Sequence, residues 1–432
     1  MRSLLLLLFF ISSLPLISQE LYFPPINGDD WETIDPETLN WCDDKIDELY
    51  NFLENQNTRA FLILKDGKIV LEKYFNGHGP DSLWYWASAG KAVTATLTGI
   101  AQEEGLLDIN DKTSDYLGTG WTMAPAEKEE LITIWHQLTM TSGLDDGMGD
   151  SDCTDPECLF YLQDAGTRWA YHNAPYTNIS RVVEAASGQS YNVFYWNRLA
   201  NKTGMGGLWL NLGYNRILFS KARAMARFGL LMQNDGSWDG VPVLADLDYI
   251  NAMRNTSQDL NKSYGYLWWL NGKESFQLPG LQFEFPGALS PDAPSDIYSA
   301  IGKNGQFLSV VPSQNMVLVR MGEAPDNALV PIIFYNEMWE YINDLTCLPN
   351  SSNEIVENKI RVFPNPVNEV LFLELPEQNI QFEAIIFNSL GQKELTVKNQ
   401  KNIHVGDLKN GLHFIEIKWG EQILQSSFLV EK

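Results

Sequence analysis

The run Ser88-Ala-Gly-Lys91-Ala-Val-Thr-Ala-Thr-Leu-Thr-Gly-Ile-Ala101 can occupy only one kind of place in a folded chain. Its apolar positions, Ala92, Val93, Ala95, Leu97, Ile100 and Ala101, are separated only by Thr and Gly. A helix made from it is apolar or small almost all round, and such a helix is a buried one. Other layers must therefore cover it. Ser88 stands at its start, where a capping or first-turn Ser is favoured. Lys91, three residues on, shares its face about one turn away. A hydroxyl and an amine are thus held together at the mouth of a buried helix. Burial and the positive helix N-terminus lower an amine's pKa, which suits Lys91 to take the Ser88 proton. A Ser-x-x-Lys match alone is a weak signal, because Ser88 could be only a cap and Lys91 only a solvated side chain. What lies downstream decides.

The length of 432 residues suggests two or three domains. A net charge of −25 argues against nucleic acid or an anionic membrane surface as partner. The chain begins Met1-Arg2-Ser3 and continues with Leu4 to Leu8, Phe9, Phe10 and Ile11. A basic start followed by an apolar run too short to span a bilayer reads as a secretory signal peptide, residues 1–18, cleaved after Ser18. No later stretch is long and apolar enough for a membrane helix. Four cysteines remain, Cys42, Cys153, Cys158 and Cys347. An even count in an oxidising compartment suggests disulfides. No His stands at ligand spacing beside them, so no metal is expected, and no organic cofactor is implied.

Residues 19–39 are rich in Pro, Asp and Gly and read as an arm. Periodicity predicts a helix over 42–55 and strands over 60–65 and 68–75, the latter joined by Asp66-Gly67, a strong hairpin signal. Further helices are expected over 132–138, 178–186 (closed by Gly188), 222–232 and 328–345, and a strand over 264–270. A β-meander is expected over 296–303, 307–311 and 316–321, with turns at Asn304-Gly305 and 312–315. This order argues for an α+β fold: an antiparallel sheet flanked by helices, with a helical subdomain. Residues 347–357 are polar and read as a linker. Beyond it, alternating segments at 370–375, 382–387, 412–418 and 423–430 predict a small C-terminal β-sandwich, residues 358–432.

Three motifs in order connect 40–346 to a known family. Ser88-Ala-Gly-Lys91, Tyr171-His172-Asn173 and Lys303-Asn304-Gly305 resemble the Ser-x-x-Lys, Tyr-x-Asn and Lys-Thr-Gly elements of the serine β-lactamase and penicillin-binding-protein superfamily, in its class C-like branch of esterases and amide hydrolases. The segment Leu138-Thr-Met-Thr-Ser-Gly-Leu144 is similar to one typical of that family. The resemblance implies a β-lactamase/transpeptidase-like fold. It makes Ser88 the nucleophile, with Lys91 and Tyr171 as general base and acid. Asn173 would hold Lys91 and donate to the substrate carbonyl. Lys303 would supply positive charge, Gly305 would leave room for substrate, and the backbone N–H groups of Ser88 and Gln306 would form the oxyanion hole. With ammonium groups on both sides, Lys91 and Lys303, Tyr171 is expected to have a lowered pKa. His172 is read as structural. Trp84, Trp86, Trp169, Trp268 and Trp269 either line an aromatic cleft or pack the core. No Gly-x-Ser-x-Gly elbow is present, so a Ser-His-Asp triad is not expected. Because the first and last helices of this fold pack antiparallel on one sheet face, the resemblance also implies the disulfides Cys42–Cys347 and Cys153–Cys158. The expected reaction is cleavage of an ester or amide through an acyl-enzyme. The alternatives are a β-lactamase, a D-Ala-D-Ala carboxypeptidase, or a silent binder of peptidoglycan fragments.

The tail has a resemblance of its own. Val362-Phe-Pro-Asn-Pro-Val367, Asn388-Ser-Leu-Gly-Gln392 and Leu408-Lys-Asn-Gly-Leu412 resemble a type A sorting domain of the type IX secretion system. That implies passage through the periplasm to the cell surface or the medium, with the secretion machinery as a partner of residues 358–432.

Overall fold

The computed structural model describes residues 21–325, 328, 330–347, 360–375, 381–389, 391–419 and 422–432. The expected signal peptide and linker residues 348–357 lie outside them. The centre is a six-stranded antiparallel sheet in the order Lys68–Tyr74, Thr58–Lys65, Met316–Gly322, Gln306–Val311, Tyr298–Gly302, Trp269–Leu270. The first hairpin turns at Asp66 and Gly67, both with positive φ (50° and 84°). That is the type I′ geometry whose twist matches the flanking strands. The arm crosses this hairpin: Trp31 Nε1 donates to the Gly67 carbonyl at 2.8 Å, and the Arg227 guanidinium donates to the Pro25 carbonyl at 2.8 Å.

Strands Gln306–Val311 and Met316–Gly322 are buried along their whole length, as strands covered on both faces must be. On one face lie helices Asp43–Asn55 and Ile332–Asn343, joined by stacking of Phe52 on Phe334 and Tyr341. Cys42 precedes the first helix and Cys347 follows the second, and the two are bonded. Helix Ala222–Gln233 covers the other face. Gly229 is small there because a Cβ would meet Val317 Cγ1 at 2.4 Å and Leu308 Cδ1 at 2.7 Å.

The apolar helix spans Gly90–Glu103 and is buried through all but its last two residues. Several boundaries differ from the sequence reading; the last helix, expected over 328–345, spans Ile332–Asn343, and the one expected over 132–138 spans Ile134–Leu138. Helix Asn173–Ser187 starts five residues earlier than expected, with Pro175 in its first turn, where a missing N–H costs nothing. The strand expected over 264–270 shrinks to Trp269–Leu270, because Leu267 adopts φ 61°. A hairpin that hydrophobic patterning did not suggest, Leu208–Leu212 with Asn215–Ser220, pairs with Trp84–Tyr85 just ahead of Ser88. In the C-terminal part, a three-stranded and a four-stranded sheet share a core that includes Leu371, Ile386, Ile403, Ile417 and Phe428.

Candidate active site

Ser88 lies in the 3₁₀ turn Ala87–Ala89, which runs directly into the apolar helix. It caps nothing, contrary to one expectation; no side chain caps this helix start. The turn is clamped from both sides. Trp86 is fully buried, its N–H donating to the Leu218 carbonyl at 2.8 Å and its indole to Ser220 Oγ at 2.7 Å. Across the turn, Gly302 ends a central strand so closely that a Cβ there would stand 2.6 Å from the Trp86 carbonyl. Ala87 is thereby held at φ 47°, a left-handed conformation that non-glycine residues rarely keep without such support.

Lys91, 3% exposed, reaches back one turn and donates to Ser88 Oγ at 3.0 Å. It also donates to Asn173 Oδ1 at 2.7 Å. Its Nζ sits over two tyrosine rings, 4.1 Å from the centre of Tyr176 and 4.9 Å from that of Tyr171. Burial lowers its pKa to about 7, partly opposed by the negative charge of Asp152. A substantial fraction of Lys91 is then uncharged near neutral pH, with a lone pair for the Ser88 proton.

The Tyr171 phenol faces the Ser88 hydroxyl, and the ring stacks on Trp269 at 5.7 Å. The expected lowering of its pKa is overturned. Burial drives the phenol well above its ordinary range, and the hydrogen bond with Ser88 opposes this only in part. The physical reason is that neither lysine supplies the fixed positive charge assumed. Lys91 is itself only partly protonated near neutral pH. Lys303 stands exposed in the turn Lys303–Gly305, and its ammonium makes no hydrogen bond or ion pair with the described residues.

In that turn, the side-chain position that Gly305 leaves empty is taken by Arg320: a Cβ would stand 2.5 Å from its Nη1. Arg320 is fully buried and donates to the carbonyls of Asn304 and Gly305 at 2.7 and 2.8 Å. The Gln306 side chain bridges to both the N–H and the carbonyl of Gly322. The two side chains tie the turn to the end of strand Met316–Gly322. Asn304 donates to Tyr85 Oη at 2.7 Å.

His172, buried, is kept neutral by a pKa of about 4, in accord with a structural role. Trp86, Trp169, Trp268 and Trp269 are all buried, so the aromatic cluster is core; Trp84 is half-buried. Sequence reading missed Tyr176, although it lies three residues after Asn173 on the same helix face. It also missed Asp152 and Asn215. Asp152 accepts from Asn173 Nδ2 at 2.7 Å and from Asn215 Nδ2 at 2.9 Å. Asp152 precedes Cys153, which is bonded to Cys158.

Comparison with known proteins decides the family. Residues 54–328 match the beta-lactamase family. The chain belongs to that family. Residues 361–431 match the secretion system C-terminal sorting domain. Penicillin-binding protein 4 of Amycolatopsis lactamdurans is 32% identical over 136 residues, 29% of this chain and 35% of that protein. The chain thus spans less than half the length of the curated relatives it matches first. The 6-aminohexanoate-dimer hydrolase of Paenarthrobacter ureafaciens is 20% identical over 65% of this chain and 76% of that one. Among solved structures, a putative beta-lactamase from Bacteroides dorei aligns with a TM-score of 0.57 at 15% identity, over 71% of this chain and 99% of that one. The family is one of serine hydrolases, and the fold is that of β-lactamases and transpeptidases.

Proposed function

We propose that the protein is a secreted serine hydrolase that cleaves an ester or amide bond through an acyl-enzyme on Ser88. The observation that carries this reading is the Lys91 amine, buried, 3.0 Å from Ser88 Oγ and with its pKa lowered to about 7. Ser88 Oγ attacks the carbonyl carbon while its proton passes to Lys91 Nζ. The carbonyl oxygen, now negative, lies between the N–H groups of Ser88 and Gln306, where strand end and turn meet. The Tyr171 phenol, neutral because it is buried, hands its proton to the departing oxygen or nitrogen and recovers one from Lys91. Water then repeats the sequence on the acyl-enzyme. Asn173 holds Lys91, and Lys303, exposed on the rim, is available to a substrate carboxylate. Residues 361–431 address the chain to type IX secretion, which places the hydrolase at the cell surface or outside the cell.

The test is intact mass after a fluorophosphonate and, separately, a penicillin, on wild type and Ser88→Ala. A Ser88-dependent fluorophosphonate adduct is the expected result. A lasting penicillin adduct as well would turn the substrate reading toward β-lactams or cell-wall peptides. No adduct on folded protein would sink the hydrolase reading in favour of a silent binder.

A further inference from the structure

The Asp152 carboxylate sits one residue behind the expected machinery. Asn173 can present either end of its amide to Lys91, and only one end serves a base. Its oxygen accepts from the Lys91 amine and leaves a lone pair on Nζ for the Ser88 proton, whereas its NH₂ would compete for that lone pair. Something must select between the two. An ionised carboxylate accepts and cannot donate, so it draws NH₂ groups toward itself. Asp152 does this twice, with Asn173 at 2.7 Å and Asn215 at 2.9 Å. With the Asn173 NH₂ committed to Asp152, its oxygen faces Lys91 at 2.7 Å.

Asp152 is itself held from several directions. Its N–H donates to Asp150 Oδ1 at 2.9 Å. The carbonyl of Ser151 accepts from Ala174 N–H at 3.2 Å, which ties the loop to the start of helix Asn173–Ser187. Next to it, buried Cys153 is bonded to Cys158. Asn215 opens strand Asn215–Ser220, whose other end clamps Trp86. The carboxylate therefore joins three elements that are far apart in sequence.

We propose that Asp152 is a positioning residue that fixes the Asn173 amide and, through it, keeps Lys91 oriented as base toward Ser88. This rests on the reading of Ser88 and Lys91 as nucleophile and base. The groups facing Lys91 are Ser88, Asn173, Tyr171 and Tyr176, with Asp152 the charge that acts on it from behind Asn173. Arg216, paired with Glu184, lies beyond Tyr176, and His172, Asp145, Asp146 and Arg168 lie on the Asp152 side.

The experiment compares full-length wild type, Asp152→Asn, and the exchange Asp152→Asn with Asn215→Asp. Two properties are read, each below the melting transition: the rate of fluorophosphonate labelling of Ser88 against pH, and the titration of Lys91 by ¹⁵N-lysine NMR. In Asp152→Asn one amide must meet two NH₂ groups, so one donor is left facing a donor. The plateau labelling rate should fall about tenfold. The Lys91 midpoint should move to lower pH, by about half a unit to one unit, since a charge has been removed from beyond the direct ion-pair range. The exchange restores the pattern: the amide introduced in place of Asp152 accepts from Asn173 and donates to the carboxylate introduced in place of Asn215. Its plateau should return to within about threefold of wild type, an arrangement of donors that a merely structural loss would not recover. An unchanged rate and Lys91 titration in Asp152→Asn, or an exchange no better than the single variant, would overturn the proposal. If wild-type Ser88 is not labelled at all, the hydrolase reading fails on its own, while the Lys91 titration still reports whether Asp152 acts on it.

Discussion

Replacing Lys91 with Met should make the protein inactive and, near neutral pH, more stable. Lys91 ionises at about 7 in the folded chain against an ordinary 10.5, because burial disfavours its charge. Below pH 7 both the folded and unfolded chains carry the proton, and the folded chain bears the whole cost of burying it. That cost is about 3.5 pH units at ~1.4 kcal/mol each, roughly 5 kcal/mol. Between pH 7 and 10.5 the unfolded chain holds a proton that the folded one has released, so wild-type stability rises with pH and the cost fades. Met has similar volume and no charge. It leaves Asn173 Oδ1 without its donor, which costs about 1–3 kcal/mol at every pH. The balance makes Lys91→Met more stable than wild type by about 2–4 kcal/mol at pH 6. The advantage shrinks as pH rises and reverses between about pH 8 and pH 10, according to where in that range the hydrogen-bond cost falls. Urea unfolding followed by tryptophan fluorescence measures this in the hydrolase part, since Trp419 is the sole tryptophan of residues 358–432. A variant less stable than wild type at pH 6, or an advantage independent of pH, would refute the claim that burial lowers the Lys91 pKa to about 7.

Four further outcomes are expected. The rate of Ser88 acylation should rise through about pH 7 as Lys91 loses its proton, and His172→Gln should leave that limb in place because His172 is already neutral there. Tyr171→Phe should lower turnover by about 10²–10⁴-fold while fluorophosphonate still labels Ser88, if its phenol serves leaving-group protonation. The pair Cys42→Ser and Cys347→Ser opens a loop of sequence separation 305 and should cost about 4–5 kcal/mol in urea unfolding. Gly229→Ala should cost about 1–3 kcal/mol, because its Cβ would meet Val317 and Leu308 on the sheet.

Much of this molecule was legible in its residues because the relevant signals are local. The 3.6-residue spacing of Ile46, Leu49 and Leu53, the Asp66-Gly67 turn and the alternation in the tail each state a backbone conformation within a short window. Ser88 and Lys91 belong to the same class of signal, since one helical turn brings them together whatever the rest of the chain does. The two disulfides followed once a fold resemblance set the first helix beside the last. The lowered Lys91 pKa was legible too, because an apolar helix announces its own burial, but the Tyr171 proton affinity was not. Tyr171 was expected to be acidic from its lysine neighbours, yet burial and the outward placement of Lys303 made it the opposite. The side-chain position that Gly305 leaves empty is taken by Arg320, 15 residues away, a neighbour that spacing does not reveal. Asp152 meets Asn173 and Asn215 across separations of 21 and 63 residues, with no periodicity linking them. The sequence by itself determined which groups could react, through spacing that the backbone enforces. Only the tertiary structure decided that Tyr171 stays neutral and which way the Asn173 amide faces, because desolvation and donor–acceptor pairing there depend on neighbours brought from elsewhere in the chain.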